Sequence, residues 1–139
     1  MALAAAASGL FAGSALYASV VESRAVLSHP SDGARAQFVR QFRPAGAFQA
    51  PLVLLATASG VTASLMSRDG LTIAAAAVMA IVVAVTAVVI FPLNARLLRA
   101  ESAEGVDGRA LLVRWYRLHA VRGAFALAAN VLFLVALAQ

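Results

Sequence analysis

The chain alternates between long apolar runs and short polar connectors. Four of the runs reach the roughly 20 residues that a helix needs to cross the hydrocarbon layer. They cover about residues 2–27, 45–66, 71–91 and 111–138. None shows the period-two alternation of a barrel strand. Lipid admits only helices or closed barrels, so Ala-rich runs of this kind predict helices. The expected fold is therefore all-α, a single domain over residues 1–139 built as a four-helix transmembrane bundle.

The connectors differ in character. Ser28 to Arg43 is the first, with Asp32-Gly33 as its turn signal. Gln37 to Phe48 mixes phenylalanines with arginines, the composition of a segment lying along the interface before Pro44 and Pro51. Ser67 to Gly70 is a tight turn that makes the second and third runs an antiparallel hairpin. Pro92 to Gly108 begins as a helical continuation, Asn94 to Arg99, and ends in an acidic, Gly-containing loop.

Composition agrees with a membrane protein: 63% of residues are hydrophobic, 12% are charged, and the mean hydropathy is +0.89. A soluble domain carries roughly 45–50% apolar and about 25% charged residues. With no cysteine, disulfides, thiolate metal sites and cysteine nucleophiles are excluded. All eleven basic residues are arginine, which together with the alanine content points to a GC-rich bacterial genome and so to a bacterial cytoplasmic (inner) membrane. The net charge of +5 does not indicate nucleic-acid binding. The arginines border apolar runs, where lipid headgroups or the bundle interior meet them. Arg24, Arg35, Arg40 and Arg43 flank the first connector, and Arg96, Arg99, Arg109, Arg114 and Arg117 flank the third. The second has only Arg68, offset by Asp69. Connectors one and three are thus expected to face the cytoplasm, with both termini on the non-cytoplasmic side. Tyr17-Ala18-Ser19 resembles a cleavage region, but the basic n-region of a secretory signal is missing, so the first run reads as a helix of the mature fold.

Polar residues inside this apolar sequence are the candidates for chemistry. A charged side chain at membrane depth costs about 2.5–3.5 kcal/mol on insertion scales, so such residues usually face a protein interior and mark a site. Glu22 shares its helical face with Phe11, Ala15, Ala18 and Ser19 at 100° per residue. Two roles fit it: an interfacial ion pair with Arg24 or a connector arginine, or a proton acceptor between helices. Trp115, His119, Arg122 and Ala126 recur at the i, i+4, i+7, i+11 spacing of one face, which Asn130 extends. On that face His119 can act as base or acid, Arg122 can hold an anion or developing oxyanion, and Trp115 can anchor at the interface or stack on an aromatic ligand. Pro92 ends or kinks the third helix beside Asn94, whose amide can cap the freed carbonyls or meet a ligand. Tyr17 is counted with Asn94 and Trp115 among the substrate contacts, and Glu22, His119 and Arg122 are the catalytic candidates. Gly9 and Gly13 form a small-xxx-small pair broadly opposite Glu22, a signal for close packing within the bundle or across a homodimer.

No phosphate-cradling loop, metal-spaced histidine pair or nucleophile elbow is present. His29 lies in a Ser-His-Pro-Ser loop, a poor partner for His119 in haem ligation. The residues specify no cofactor. Glu22 with His119 offers at most a weak metal site.

Two stretches carry a family resemblance. Gly9-Leu10-Phe11-Ala12-Gly13 followed by Val21-Glu22 resembles the first helix of the anthrone oxygenase-like family of small four-helix membrane proteins. More specific is Pro92-x-Asn94-x-x-Leu97 followed by Trp115-x-x-x-His119-x-x-Arg122, which is similar to the family's Pro-x-Asn motif and its Trp, His or Asn, then Arg. The resemblance implies oxidation of anthrones to anthraquinones by molecular oxygen without a conventional cofactor. On that analogy Glu22 or His119 abstracts a proton, Arg122 and Asn94 hold the oxyanion, and the carbanion reacts with oxygen directly. His119 stands where some polyketide-type members have Asn, a departure that bears on whether anthrones are the substrate here. The expected function is a membrane oxidoreductase acting on a lipophilic aromatic or quinone-like molecule. A proton-coupled exporter and a non-catalytic subunit of a membrane complex are the alternatives.

Overall fold

The computed structural model describes residues 1–99 and 106–139. Four helices long and apolar enough to cross a membrane account for nearly all of them, as the four runs predict. The first helix covers Ala2–Leu27 and the third covers Gly70–Leu98. Each is interrupted by a π-helical turn, Ala18–Glu22 in the first and Thr86–Ile90 in the third. The fourth helix runs from Val106 to Leu137, starting five residues before the apolar run it carries. The acidic loop expected after Arg99 lies outside the described residues apart from this helical start.

The second helix departs most from expectation. It is continuous from Ser31 to Ser67, 37 residues, and takes in both the polar stretch and the segment expected to lie along the interface. Asp32-Gly33 is not a turn; the chain reverses over Ser28 to Pro30 instead. Pro30, with ψ at 158°, provides the non-helical entry, and Asp32 places a negative charge in the first turn, where the helix dipole favours it. Tertiary burial then holds the new helix in place. Ala34 and Phe38 sit with Val26, Leu93, Leu97, Leu112, Trp115 and Tyr116 in one core cluster. At about 55 Å this helix outruns a hydrocarbon layer of roughly 30 Å, so its N-terminal turns project past the membrane. Pro44 and Pro51 lie inside it. A membrane helix tolerates them because neighbouring helices and side chains re-satisfy the freed carbonyls.

The helices form a ring in which the first packs on the second and fourth, and the third packs on the same two. A second core cluster fills the end of the bundle near the termini and is built largely of alanine, with Phe11, Met79 and Phe133 between the small residues. Small residues let membrane helices approach closely where hydrophobicity gives no drive to associate. Gly60 is the tightest instance: a Cβ there would stand 2.6 Å from Cζ of the fully buried Phe133. Asn130, expected to extend the polar face of the fourth helix, instead ties that helix to the first, donating to the Ala5 carbonyl at 2.6 Å and to Ser8 Oγ at 3.1 Å. Gly9 makes room for it, with a Cβ position 3.2 Å from Asn130 Nδ2.

The ends are closed by side chains. Arg109 donates to the Leu27 and His29 carbonyls at 2.7 and 3.2 Å, which satisfies acceptors at the end of the first helix. The tight turn of Arg68 and Asp69 joins the second and third helices as expected. Asp69 caps the third helix, accepting from Thr72 N at 2.8 Å and Thr72 Oγ1 at 2.9 Å. These bonds hold its carboxyl below the usual carboxylate range.

Two consequences for stability can be measured. Gly60→Val drives a branched side chain into Phe133, and overpacking of this kind should lower stability by about 1–3 kcal/mol, read as a fall in thermal midpoint in detergent. Asp69 has a folded pKa below its unfolded value of about 3.9. Its contribution is therefore complete above that value and is lost as pH falls through the lower folded one. Asp69→Ala should lower the midpoint at neutral pH, and the gap to the parent should close on acidification below about pH 4. A gap that stays constant across that range would rule out the cap as its source.

Candidate functional site

Between the two core clusters the packing gives way to a cavity of about 350 Å³ lined by all four helices. Its walls are largely apolar and aromatic, with Phe11, Phe38, Phe42 and Phe91 among them. Polar residues from all four helices share it, with Glu22, Gln49, Asn94, His119 and Arg122 among them. Gln41 lies two turns before Gln49 on the second helix and also contributes to the wall.

The fourth helix supplies the centre of the site. Unbroken α-helical geometry puts Trp115, His119 and Arg122 on the inward face, 7%, 4% and 7% exposed. The Trp115 and His119 rings are stacked, centroids 3.5 Å apart at 23°. Phe38 and Tyr116 meet the Trp115 ring edge-on, each at 5.0 Å. His119 Nδ1 is 3.3 Å from the Trp115 carbonyl oxygen. A carbonyl can only accept, so Nδ1 carries the proton in this pairing, and Nε2 keeps the lone pair of the neutral imidazole.

Other side chains of the same cavity carry donors. Trp115 Nε1 donates to Asn94 Oδ1 at 2.6 Å, which occupies the amide oxygen and leaves the Asn94 NH₂ as the free end. Asn94 reaches this position because the third helix continues through Pro92 after its π-turn, with Pro92 in the first turn of the last α-helical segment. Pro92 therefore does not end the helix. Arg122 donates from Nη2 to Gln49 Oε1 at 2.6 Å, and its guanidinium carbon lies 4.9 Å from the Phe11 ring centre.

Glu22 sits at the edge of the site, half-buried, with Tyr116 Oη at 3.5 Å from its carboxylate. Among the described residues no arginine forms an ion pair with it, neither Arg24 nor a connector arginine. It also lines an outer groove between the first and second helices, together with Gly9, Gly13 and Tyr17. The groove and the cavity share Ala18, Glu22, Ala45 and Gln49, so the seam between these helices connects the two. Gly9 and Gly13 consequently do not lie opposite Glu22. The π-turn at Ala18–Glu22 inserts one residue and rotates the remainder of the helix by about 100° relative to a continuous α-helix. Tyr17 is 61% exposed and belongs to the groove, outside the cavity.

Of the six residues singled out from the sequence, the cavity gathers Glu22, Asn94, Trp115, His119 and Arg122. Gln49, Gln41 and Tyr116 were not among them. Gln41, Ala45, Gln49 and Val53 succeed one another at i+4 and all line the cavity, so the signal was a helical stripe running through the two prolines. Among the described residues no group of three or more His, Asp or Glu side chains could hold a metal ion.

No curated protein and no solved structure matches the chain. The family model for anthrone oxygenase matches residues 38–132, well over half of it. That span holds Gln49, Asn94, Trp115, His119 and Arg122, and begins after Tyr17 and Glu22. The chain belongs to the anthrone oxygenase family.

Proposed function

We propose that this multi-pass membrane protein is an oxygenase that converts an activated methylene of a lipophilic aromatic to a carbonyl with molecular oxygen. The observation that carries the reading is an imidazole and a guanidinium that line one aromatic-walled cavity between the membrane-spanning helices. Family membership supports the reaction class. The arginine-rich connectors support an orientation in which this end of the bundle faces the cytoplasm of a bacterial cell.

In the mechanism, His119 Nε2 takes a proton from a methylene that lies between two aryl rings and is conjugated through them to a ketone. The electron pair moves to the ketone oxygen, and Arg122 and the Asn94 NH₂ donate to the enolate so formed. The Trp115–His119 stack gives the ring system a flat wall to lie against. The enolate carbon passes its electrons to O₂ and forms a C–O bond, and the proton returns from His119 to give a hydroperoxide. Loss of water from that carbon leaves the new carbonyl. One O₂ is consumed and one water released for each methylene oxidised.

Anthrone serves as the probe substrate, followed by oxygen uptake and anthraquinone absorbance in detergent or nanodiscs. His119→Ala should slow turnover by about 10²–10⁴-fold, the usual contribution of a positioned general base. Arg122→Gln should cost about 10²–10³-fold, as removal of an oxyanion donor does. With ¹⁸O₂, the new carbonyl should carry the label. Equal rates in the parent and His119→Ala would sink the assignment of the base, and an unlabelled carbonyl would sink the oxygenase reading.

A further inference from the structure

Arg122 is 7% exposed and lies at membrane depth, but among the described residues its guanidinium has a single acceptor, Gln49 Oε1. A guanidinium carries five N–H donors. Its Nε is buried with no hydrogen-bond partner, and the Phe11 ring covers one face. Buried charges are ordinarily answered by an opposite charge, because an uncompensated one is costly in a low-dielectric interior. Here the answering group is a neutral amide, itself only 9% exposed. Among the described residues Glu22 is the one carboxylate lining the cavity, and its contact is Tyr116 of the fourth helix, with no ion pair to Arg122. His119, one turn away on the same helix, adds no negative charge in any protonation state. Arg122 thus offers the cavity a positive group with unused donors, set among aromatic walls.

We propose that the cavity takes its ligand as an anion, a planar aromatic bearing a carboxylate or phenolate oxygen, and that Gln49 is the positioning residue that leaves Arg122 un-neutralised for it. Glutamate at this position would have nearly the same shape and would supply the missing counter-charge internally. The amide orients the guanidinium through one charge-assisted hydrogen bond and leaves its charge for the ligand. The aromatic half of this statement rests on the proposed function. The charge half holds whether or not the bound molecule is oxidised.

The test is a binding measurement under argon at pH 7, with the full chain in phosphatidylcholine nanodiscs. Trp115 is the single tryptophan and lies in the cavity wall, so its quenching reports occupancy. The probes are anthraquinone-2-carboxylate and its neutral carboxamide, with empty nanodiscs correcting for partition. The carboxylate should bind the parent at least about tenfold more tightly than the carboxamide, the preference expected of one charge-assisted contact. Gln49→Glu should abolish or reverse that ratio, and Gln49→Ala should weaken both probes while the preference persists. Equal affinities in the parent, which depend on no variant being folded, would overturn the inference. So would an unchanged ratio in a Gln49→Glu protein with native helix content. The anion preference in a protein that never consumes oxygen would keep this site and remove the oxygenase reading. Active turnover without the preference would do the reverse.

Discussion

Taking a guanidinium out of water costs several kcal/mol even after the surroundings relax, and the middle of this bundle is arranged around that cost. Arg122 is held by one amide from the second helix and one aromatic face from the first. Both contacts require those helices to approach the fourth at a fixed depth. The close approach is made elsewhere, by the alanine-rich cluster toward the termini and by Gly60 beneath Phe133. In a membrane, where apolar surface brings helices no special attraction, this small-residue packing is what holds the charge and its two contacts at one depth.

Two core clusters, one on each side of the cavity, do different work. The alanine-rich one sets helix spacing. The other is rich in large side chains, with Phe38, Leu97, Leu112, Trp115 and Tyr116, and closes the cavity on the side of the first turns of the second and fourth helices. Trp115 belongs to this cluster and to the site at once: one edge packs on Phe38, its face stacks on His119, and its N–H fixes Asn94. The base, the amide donor and the aromatic wall are therefore adjusted together by a single side chain.

The sequence was most legible where the helix is regular. Trp115, His119 and Arg122 fall on one face because the fourth helix is unbroken, so counting by 3.6 worked. The four spans were readable because hydropathy alone specifies them. Sequence reading failed where a long-range contact overrode a local signal. Asp32-Gly33 and two prolines argue for interruption, but burial of Ala34 and Phe38 carries one helix through all of them. Gln49 was hidden in that stretch, and with it the partner of Arg122. Asn130 was placed on the right face, but it serves the contact between the first and fourth helices, a role that spacing cannot distinguish from a place in the site.

Both π-turns flank the cavity, Ala18–Glu22 in the first helix and Thr86–Ile90 in the third, and each has a polar site residue at or just beyond its end, Glu22 and Asn94. A π-turn is an α-helix holding one residue more than it needs. The chain length across these two segments is thus as much a determinant of the site as the identity of any side chain. Loss of a single apolar residue from either would let the helix close up as regular α and swing Glu22 or Asn94 through about 100°, while hydropathy, span count and every named polar residue stayed as they are. Relatives that carry the same polar residues but differ by one residue in these turns would present them to a different wall of the bundle.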